Sequence, residues 1–392
     1  MDMKDLADRT DRLVQSDIRA ISRAVEEVGG INLGQGICDL PTPDPLKQDA
    51  RRAIEANRSV YTSHRGLPAL REAVGEKLRS YNDLPITDEE EIVITAGATG
   101  AFTASLLTLL DPGDEVVLFE PYYGYHRKLV ELFGAETRTI RLEAPDFGFH
   151  PEELEAAVGE ATKAIVLNTP SNPSGKIWSE SELEALHEVA NAHGLYVLTD
   201  EIYEYMTYEG RKHISPASIP GAFEHTITIS GYSKAFNMTG WRLGYAAGPE
   251  HLTEPISLIN DLLYICAPTP LQHGVVEAYR MDDAYFRALQ EDYAHRRRML
   301  CETLEEVGFE AAWPEGAYYV LADTRPVAAE RPGFEDDRSA ARTLLEEAGV
   351  AAVPGRAFFD RDEDGAHLLR FCFAKEMDEL EAACSRLRGA LG

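Results

Sequence analysis

Cysteine and lysine are scarce and long apolar runs are absent, and each shortage removes a class of protein. Five cysteines (Cys38, Cys266, Cys301, Cys372 and Cys384) lie scattered with no C-x-x-C pair. Neither a disulfide scaffold nor a metal site is expected, and the thiols read as buried groups of a reducing cytoplasm. Nine lysines stand against twenty-nine arginines, and 67 acidic residues leave a formal net charge of −29. That charge argues against nucleic acid or an anionic membrane as partner. The acidic residues are spread as on a soluble surface; adaptation to high salt is the sharper expectation, checked by stability across a salt series. No window reaches the ~18 apolar residues of a membrane helix, and the amino terminus lacks the apolar core of a signal peptide. No internal repeat or low-complexity segment occurs. The G-x-G-x-x-G fingerprint that a nicotinamide dehydrogenase needs is also missing.

What is present describes an ordinary globular chain, with 392 residues, 44% hydrophobic and 27% charged. That length predicts two lobes. Short apolar runs at 91–96, 115–120, 164–168, 196–201 and 226–230 read as buried strands separated by helical patterns. One helix starts at a capping box, Ser179 to Glu182, and stops at Gly194. The alternation implies an α/β fold, with a mostly parallel central sheet and helices on both faces. From 281 onward, Phe286, Leu289, Tyr293, Leu300 and Leu304 recur at helical spacing, followed by strand-like AYYVLAD and LLRFCFA and a last helix. The predicted division is a large domain over 46–280 and a smaller α+β domain over 281–392, shared with the amino-terminal segment 1–45.

Ligands of open α/β sheets bind beyond the carboxyl ends of the strands, and the residues there are unusual. Gly97-Ala98-Thr99-Gly100 after the first run is either a tight turn or a helix amino end open to an anion. Tyr123, with Tyr122 and Tyr125, either packs or stacks on a flat ligand. Asn172, in Pro170-Ser171-Asn172-Pro173-Ser174-Gly175, forms a turn or offers an amide to the cleft. Asp200 ends an apolar strand and needs a cationic partner. Lys234 follows the last run; a partly desolvated lysine becomes a nucleophilic amine. Arg242, eight residues on, suits a two-pronged grip on an anion. A planar, phosphorylated, cationic aldehyde meets all these groups together, and pyridoxal phosphate is that molecule.

Five motifs in one order, Gly231-Tyr232-Ser233-Lys234 with Arg242-Leu243-Gly244, the Asn-Pro-x-Gly turn, the Asp200–Tyr203 pair and the carboxy-terminal LRFCFA, resemble the class I/II, fold-type I PLP-dependent aminotransferases. The resemblance runs over nearly the whole chain. It implies that Lys234 forms the Schiff base with pyridoxal 5′-phosphate and then moves the substrate Cα proton. Asp200 is to pair with the pyridinium nitrogen, Asn172 and Tyr203 to bond the ring oxygen, and Tyr123 to stack. Ala98, Thr99, Ser233 and Arg242 are to hold the phosphate, with Tyr61 reaching it from the partner subunit of a homodimer with shared active sites. Arg370, helped by Gly36 and Asn172, is to bind the substrate α-carboxylate. Catalysis thus rests on Lys234, Asp200 and Tyr203.

The implied activity is ping-pong transfer of an amino group from an L-amino acid to a 2-oxo acid, by analogy 2-oxoglutarate, in the cytoplasm. A carbon–sulfur β-lyase on the same fold is the alternative. A regulatory role lacks support, because only about thirty residues precede Gly34-Gln35-Gly36. Relatives often carry Ser where Gly231 stands, so one phosphate hydroxyl is missing or Ser230 replaces it. Tyr123, Tyr125, Tyr264 and Tyr318 would suit an apolar or aromatic substrate side chain, and Arg19 is a candidate to swing over the pocket.

Overall fold

The computed structural model describes residues 5–7, 10, 21, 25–36, 38 and 40–392; Arg19 lies outside them. Thirteen strands are described: β1 (Ile31–Asn32), β2 (Ile92–Thr95), β3 (Glu115–Glu120), β4 (Glu136–Arg141), β5 (Thr162–Asn168), β6 (Tyr196–Asp200), β7 (Thr226–Gly231), β8 (Gly244–Ala247), β9 (Glu310–Ala312), β10 (Tyr319–Asp323), β11 (Val350–Ala351), β12 (Val353–Pro354) and β13 (Leu368–Cys372). The helices used below are α1 (Pro68–Ser80), α2 (Gly97–Leu109), α3 (Gly124–Leu132), α4 (Glu180–His193), α5 (Glu250–Tyr264), α6 (Asp283–Glu306) and α7 (Met377–Leu391).

A seven-stranded sheet in the order β2-β8-β7-β6-β5-β3-β4 forms the centre, and only β8 runs against its neighbours. Each of the five expected runs is a strand of this sheet. They are apolar throughout because both faces are covered. Val116 and Leu118 of β3 pack with Phe102 and Leu106 of α2 and Ile256 of α5. Val117 between them packs with Leu183 and Leu186 of α4 on the other side, as the two-residue period of a strand requires. Helix α4 begins at the expected capping box, Ser179 Oγ accepting from Glu182 N while Glu182 accepts from Ser179 N, and ends at left-handed Gly194.

Two strands of the central sheet lack an apolar run. In β4, an edge strand, only Ile140 is buried, and β8 is the short Gly-Tyr-Ala-Ala segment. Small residues suit β8 because a Cβ on Gly244 would lie 2.5 Å from Ala98 N and 2.9 Å from Ser230 O. The carboxy-terminal third builds an antiparallel sheet, β12-β13-β10-β9, with Leu289, Tyr293, Leu300 and Leu304 of α6 buried as their spacing predicts. The amino-terminal β1 pairs in parallel with β11, which ties residues 31–32 to the carboxy-terminal third.

Candidate active site

A cavity of about 360 Å³ opens at the carboxyl ends of the central strands. Of the twelve residues to which the resemblance gives a part in catalysis, cofactor binding or α-carboxylate binding, it collects eleven, all except Tyr61. Each is placed by the element before it. Asp200 is the last residue of β6, Lys234 follows β7 by three residues, and Ala98 and Thr99 open α2 directly after β2.

One end of the cavity is built to hold an anion. Helix α2 has Ala96 at its N-cap with no side-chain cap, so its first N–H groups, on residues such as Ala98 and Thr99, are left to a ligand. Arg242 is held against this turn by left-handed backbone (φ 54°), and its Nη1 donates to Thr239 O at 3.0 Å. Gly97 must be glycine here, for its own φ is +74° and a Cβ would sit 2.5 Å from the Arg242 guanidinium. Ser233 also lines this cavity. Ser230 does not replace the hydroxyl missing at Gly231. Its Oγ donates to Glu204 Oε1 at 2.9 Å, on the opposite side of the strand. Position 231 itself has no room, since a Cβ would lie 2.8 Å from Gly244 Cα.

The negative group is Asp200, and its partner, missed in the sequence, is His126 of α3. His126 Nε2 lies 3.0 Å from Asp200 Oδ2, and its ring packs on Phe102 at 4.5 Å. Asp200 Oδ1 accepts from Ile202 N at 3.3 Å. Asn168, also missed, ends β5 and donates to Asp200 O at 2.8 Å, while its carbonyl accepts from Asn172 N. Tyr123 stands over this region with its ring edge-on to His126 and parallel to Tyr125.

Lys234 is half-buried, and its Nζ donates to Gly36 O at 3.2 Å. Tyr318 donates to the same carbonyl at 2.9 Å. Burial pulls the Lys234 ammonium down to about 8, against the opposing pull of Cys372, Cys38 and Asp200. It forms no ion pair among the described residues, so the neutral amine is accessible near neutral pH.

Arg370, at the middle of β13, is 1% exposed. Its two terminal nitrogens donate to Asn172 Oδ1 at 2.9 Å and Gly34 O at 2.6 Å, and its Nε has no partner. The guanidinium lies 4.3 Å above the ring of Tyr319. Tyr203 is joined to Tyr319 by hydroxyls 3.3 Å apart, and burial drives the Tyr203 phenol well above its usual pKa, with Tyr319 adding to the rise. Tyr319 was hidden in the sequence by the apolar strand that carries it. Of the four tyrosines suggested for the substrate side chain, Tyr123 and Tyr125 line the cavity, and Tyr264 and Tyr318 do not. Tyr61 is 72% exposed and outside the cavity of its own chain.

This donor set fits pyridoxal 5′-phosphate. Open N–H groups and Arg242 sit at one end and a buried carboxylate at the other. A lysine whose amine loses its proton more readily than usual stands among them, and a buried guanidinium with an unused N–H suits a second anion.

Comparison with known proteins agrees. The family model for class I and II aminotransferases matches residues 28–387. The chain is 36% identical to the probable N-succinyldiaminopimelate aminotransferase DapC of Mycobacterium tuberculosis, covering 94% of both chains. It is 37% identical to the aspartate/prephenate aminotransferase of Thermus thermophilus, covering 97% of this chain and 95% of the relative. The solved structure of the N-succinyldiaminopimelate aminotransferase from Mycobacterium tuberculosis superposes with a TM-score of 0.93 at 34% identity, over 98% of this chain and all of the other. The chain belongs to the class I and II aminotransferases of fold type I, transaminases that use pyridoxal 5′-phosphate to move amino groups.

Proposed function

We propose that the protein transfers the amino group of an L-amino acid to 2-oxoglutarate at this cavity, with Lys234 as the group that moves the substrate Cα proton. The observation that carries the reading is a sheltered amine, drawn down to about 8 by burial, within one cavity with Asp200, Arg242 and Arg370. When bound, the cofactor supplies an aldehyde that captures amines and a ring that accepts the electron pair left at Cα.

The chain's own groups do the rest. Asp200, steadied by His126, holds a proton at the ring nitrogen so that the ring stays electron-poor. Tyr203 and Asn172 donate to the ring oxygen. The α2 amino end, Ser233 and Arg242 grip the phosphate. Arg370 forks onto the α-carboxylate beside the Gly36 backbone, and Tyr123 covers the ring face. Lys234 takes the Cα proton and returns it on the cofactor side; such positioned general-base catalysis contributes roughly 10²–10⁴-fold. Tyr125, stacked on Tyr123 at the cavity wall, supports an apolar or aromatic substrate side chain.

A homodimer with shared sites belongs to the same reading. Tyr61, Leu258, Leu262, Leu263, Tyr264 and Ile265 are exposed, an apolar surface that suits a second copy of the chain, with Tyr61 reaching the partner's phosphate. The β1–β11 pairing supports grouping residues 1–45 with 281–392. None of the five cysteines is in a disulfide, which supports a cytoplasmic location.

The test is a panel of L-amino acids given to the loaded enzyme with 2-oxoglutarate, with glutamate as the product measured. Glutamate formed only while Lys234 is intact supports the reading. Pyruvate and ammonia released from a cysteine conjugate, with no glutamate, would replace it with β-elimination.

A further inference from the structure

Tyr319 occupies the junction between the parts of the site that touch the ring and the parts that touch the substrate. It begins β10, paired with Cys372 of β13, and its hydroxyl reaches past Arg370 to the Tyr203 hydroxyl at 3.3 Å. The same oxygen presses on the amino-terminal loop so closely that a Cβ on Gly36 would lie 1.7 Å from it. Its ring carries the Arg370 guanidinium at 4.3 Å and meets Tyr318 at 4.8 Å. Tyr319 therefore touches Tyr203, Arg370 and Gly36 at once.

The Tyr203 phenol has two tasks that one hydroxyl hydrogen cannot share. It must donate to the ring oxygen of a bound cofactor, so its bond to Tyr319 must then run the other way, with Tyr319 donating. A phenol that accepts a hydrogen bond becomes a better donor through its own hydrogen. We propose that Tyr319 is a positioning residue, whose hydroxyl orients and strengthens Tyr203 as a donor to the cofactor ring and whose ring seats Arg370 for the substrate carboxylate. The inference rests on the assignments of Lys234, Tyr203 and Arg370 proposed above. The charged and titratable groups that face the Tyr203–Tyr319 pair are Tyr123, Tyr318, Cys372 and Arg370, together with the Lys234 amine, 5.8 Å from the Tyr203 ring centroid.

The experiment is a pH titration of the visible absorbance of the loaded enzyme, together with a split of KM from kcat. Tyr319→Phe keeps the ring and deletes the hydroxyl. Its absorbance midpoint rises by about half a pH unit, kcat falls, and KM for the amino acid stays within about twofold. Tyr319→Leu also removes the surface under Arg370 and raises KM about tenfold. In a Tyr203→Phe background the Tyr319→Phe shift vanishes, because the second hydroxyl acts through the first. Tyr319→3-fluorotyrosine, which preserves shape and sharpens the donor, moves the midpoint downward and serves if Tyr319→Phe folds poorly. An unmoved midpoint in fully loaded Tyr319→Phe overturns the inference, as does an equal shift in the Tyr203→Phe background. A parent protein that forms no titrating visible band overturns the site assignment beneath it instead.

Discussion

Replacing Lys77 by Met probes the ionic cluster that lies behind the active-site turn Asp200–Glu204. Asp200 and Tyr203 face the cavity, while Glu201 and Glu204 of the same turn point into the sealed interior. Lys77 Nζ stands 2.5 Å from Glu204 Oε2, with both side chains 2% exposed. The ammonium is ringed by Tyr81, Tyr205, Tyr245 and Tyr279 at 5.3–5.8 Å. Asn82 and Ser230 also donate to Glu204 at 2.9 Å. Burial pushes the Glu204 carboxyl up, but Lys77 and His213 outweigh it and hold the pKa below its usual value.

Lys77→Met leaves Glu204 charged in the interior with two neutral donors, a loss of about 3–5 kcal/mol. Unfolding entropy for 392 residues is about 0.8 kcal/mol/K, so the melting temperature falls by about 4–6 °C. Adding Glu204→Gln removes the stranded charge and regains about half of the loss or more. Calorimetry on the apoprotein gives the three values. A Lys77→Met protein that melts within 1 °C of the parent, or a double variant less stable than the single one, would refute the reasoning.

Three further outcomes are expected. His126→Leu strips a partner from the buried Asp200 oxygen, costing about 1–3 kcal/mol; steady-state kinetics should show kcat lowered about 5- to 100-fold with cofactor still bound. Apoprotein should capture pyridoxal phosphate faster as pH rises, with a midpoint near the 8 to which burial draws Lys234, because only the neutral amine attacks; stopped-flow absorbance across pH 6–10 reads it, and a midpoint near 10 contradicts the burial argument. His187, buried against His225 at 3.2 Å, is drawn by burial from 6.5 to about 4. The unfolded chain therefore takes up this proton first, and stability falls as pH drops from 6.5 towards 4, by up to about 3 kcal/mol. Denaturant melts of His187→Gln over that range should be flatter than those of the parent.

How far the sequence discloses this site follows from what surrounds each residue. Strands buried on both faces write themselves as apolar runs, and the polar residues at the end of β6 and just beyond β7 stand out because little else explains Asp200 or Lys234 there. The same logic hides β4, whose edge position leaves it polar, and β8, whose close approach to α2 demands small residues rather than large apolar ones. His126 sits inside a helix and Tyr319 inside a core strand, so neither spacing nor composition marks them; only the fold brings His126 to Asp200 and Tyr319 to Tyr203. The position of Ser230 shows a related limit. A hydroxyl one residue from the right place lies on the wrong face of its strand, and it serves Glu204 instead of the cavity.

The central claim is that one lysine of nine is the amine that holds the cofactor. Borohydride reduction of the loaded protein, followed by peptide mass mapping, tests it directly. A pyridoxyl group is expected on the peptide bearing Lys234 and none on Lys234→Ala protein treated alike. A pyridoxyl group found instead on Lys176 or Lys77, with Lys234 unmodified, would contradict it.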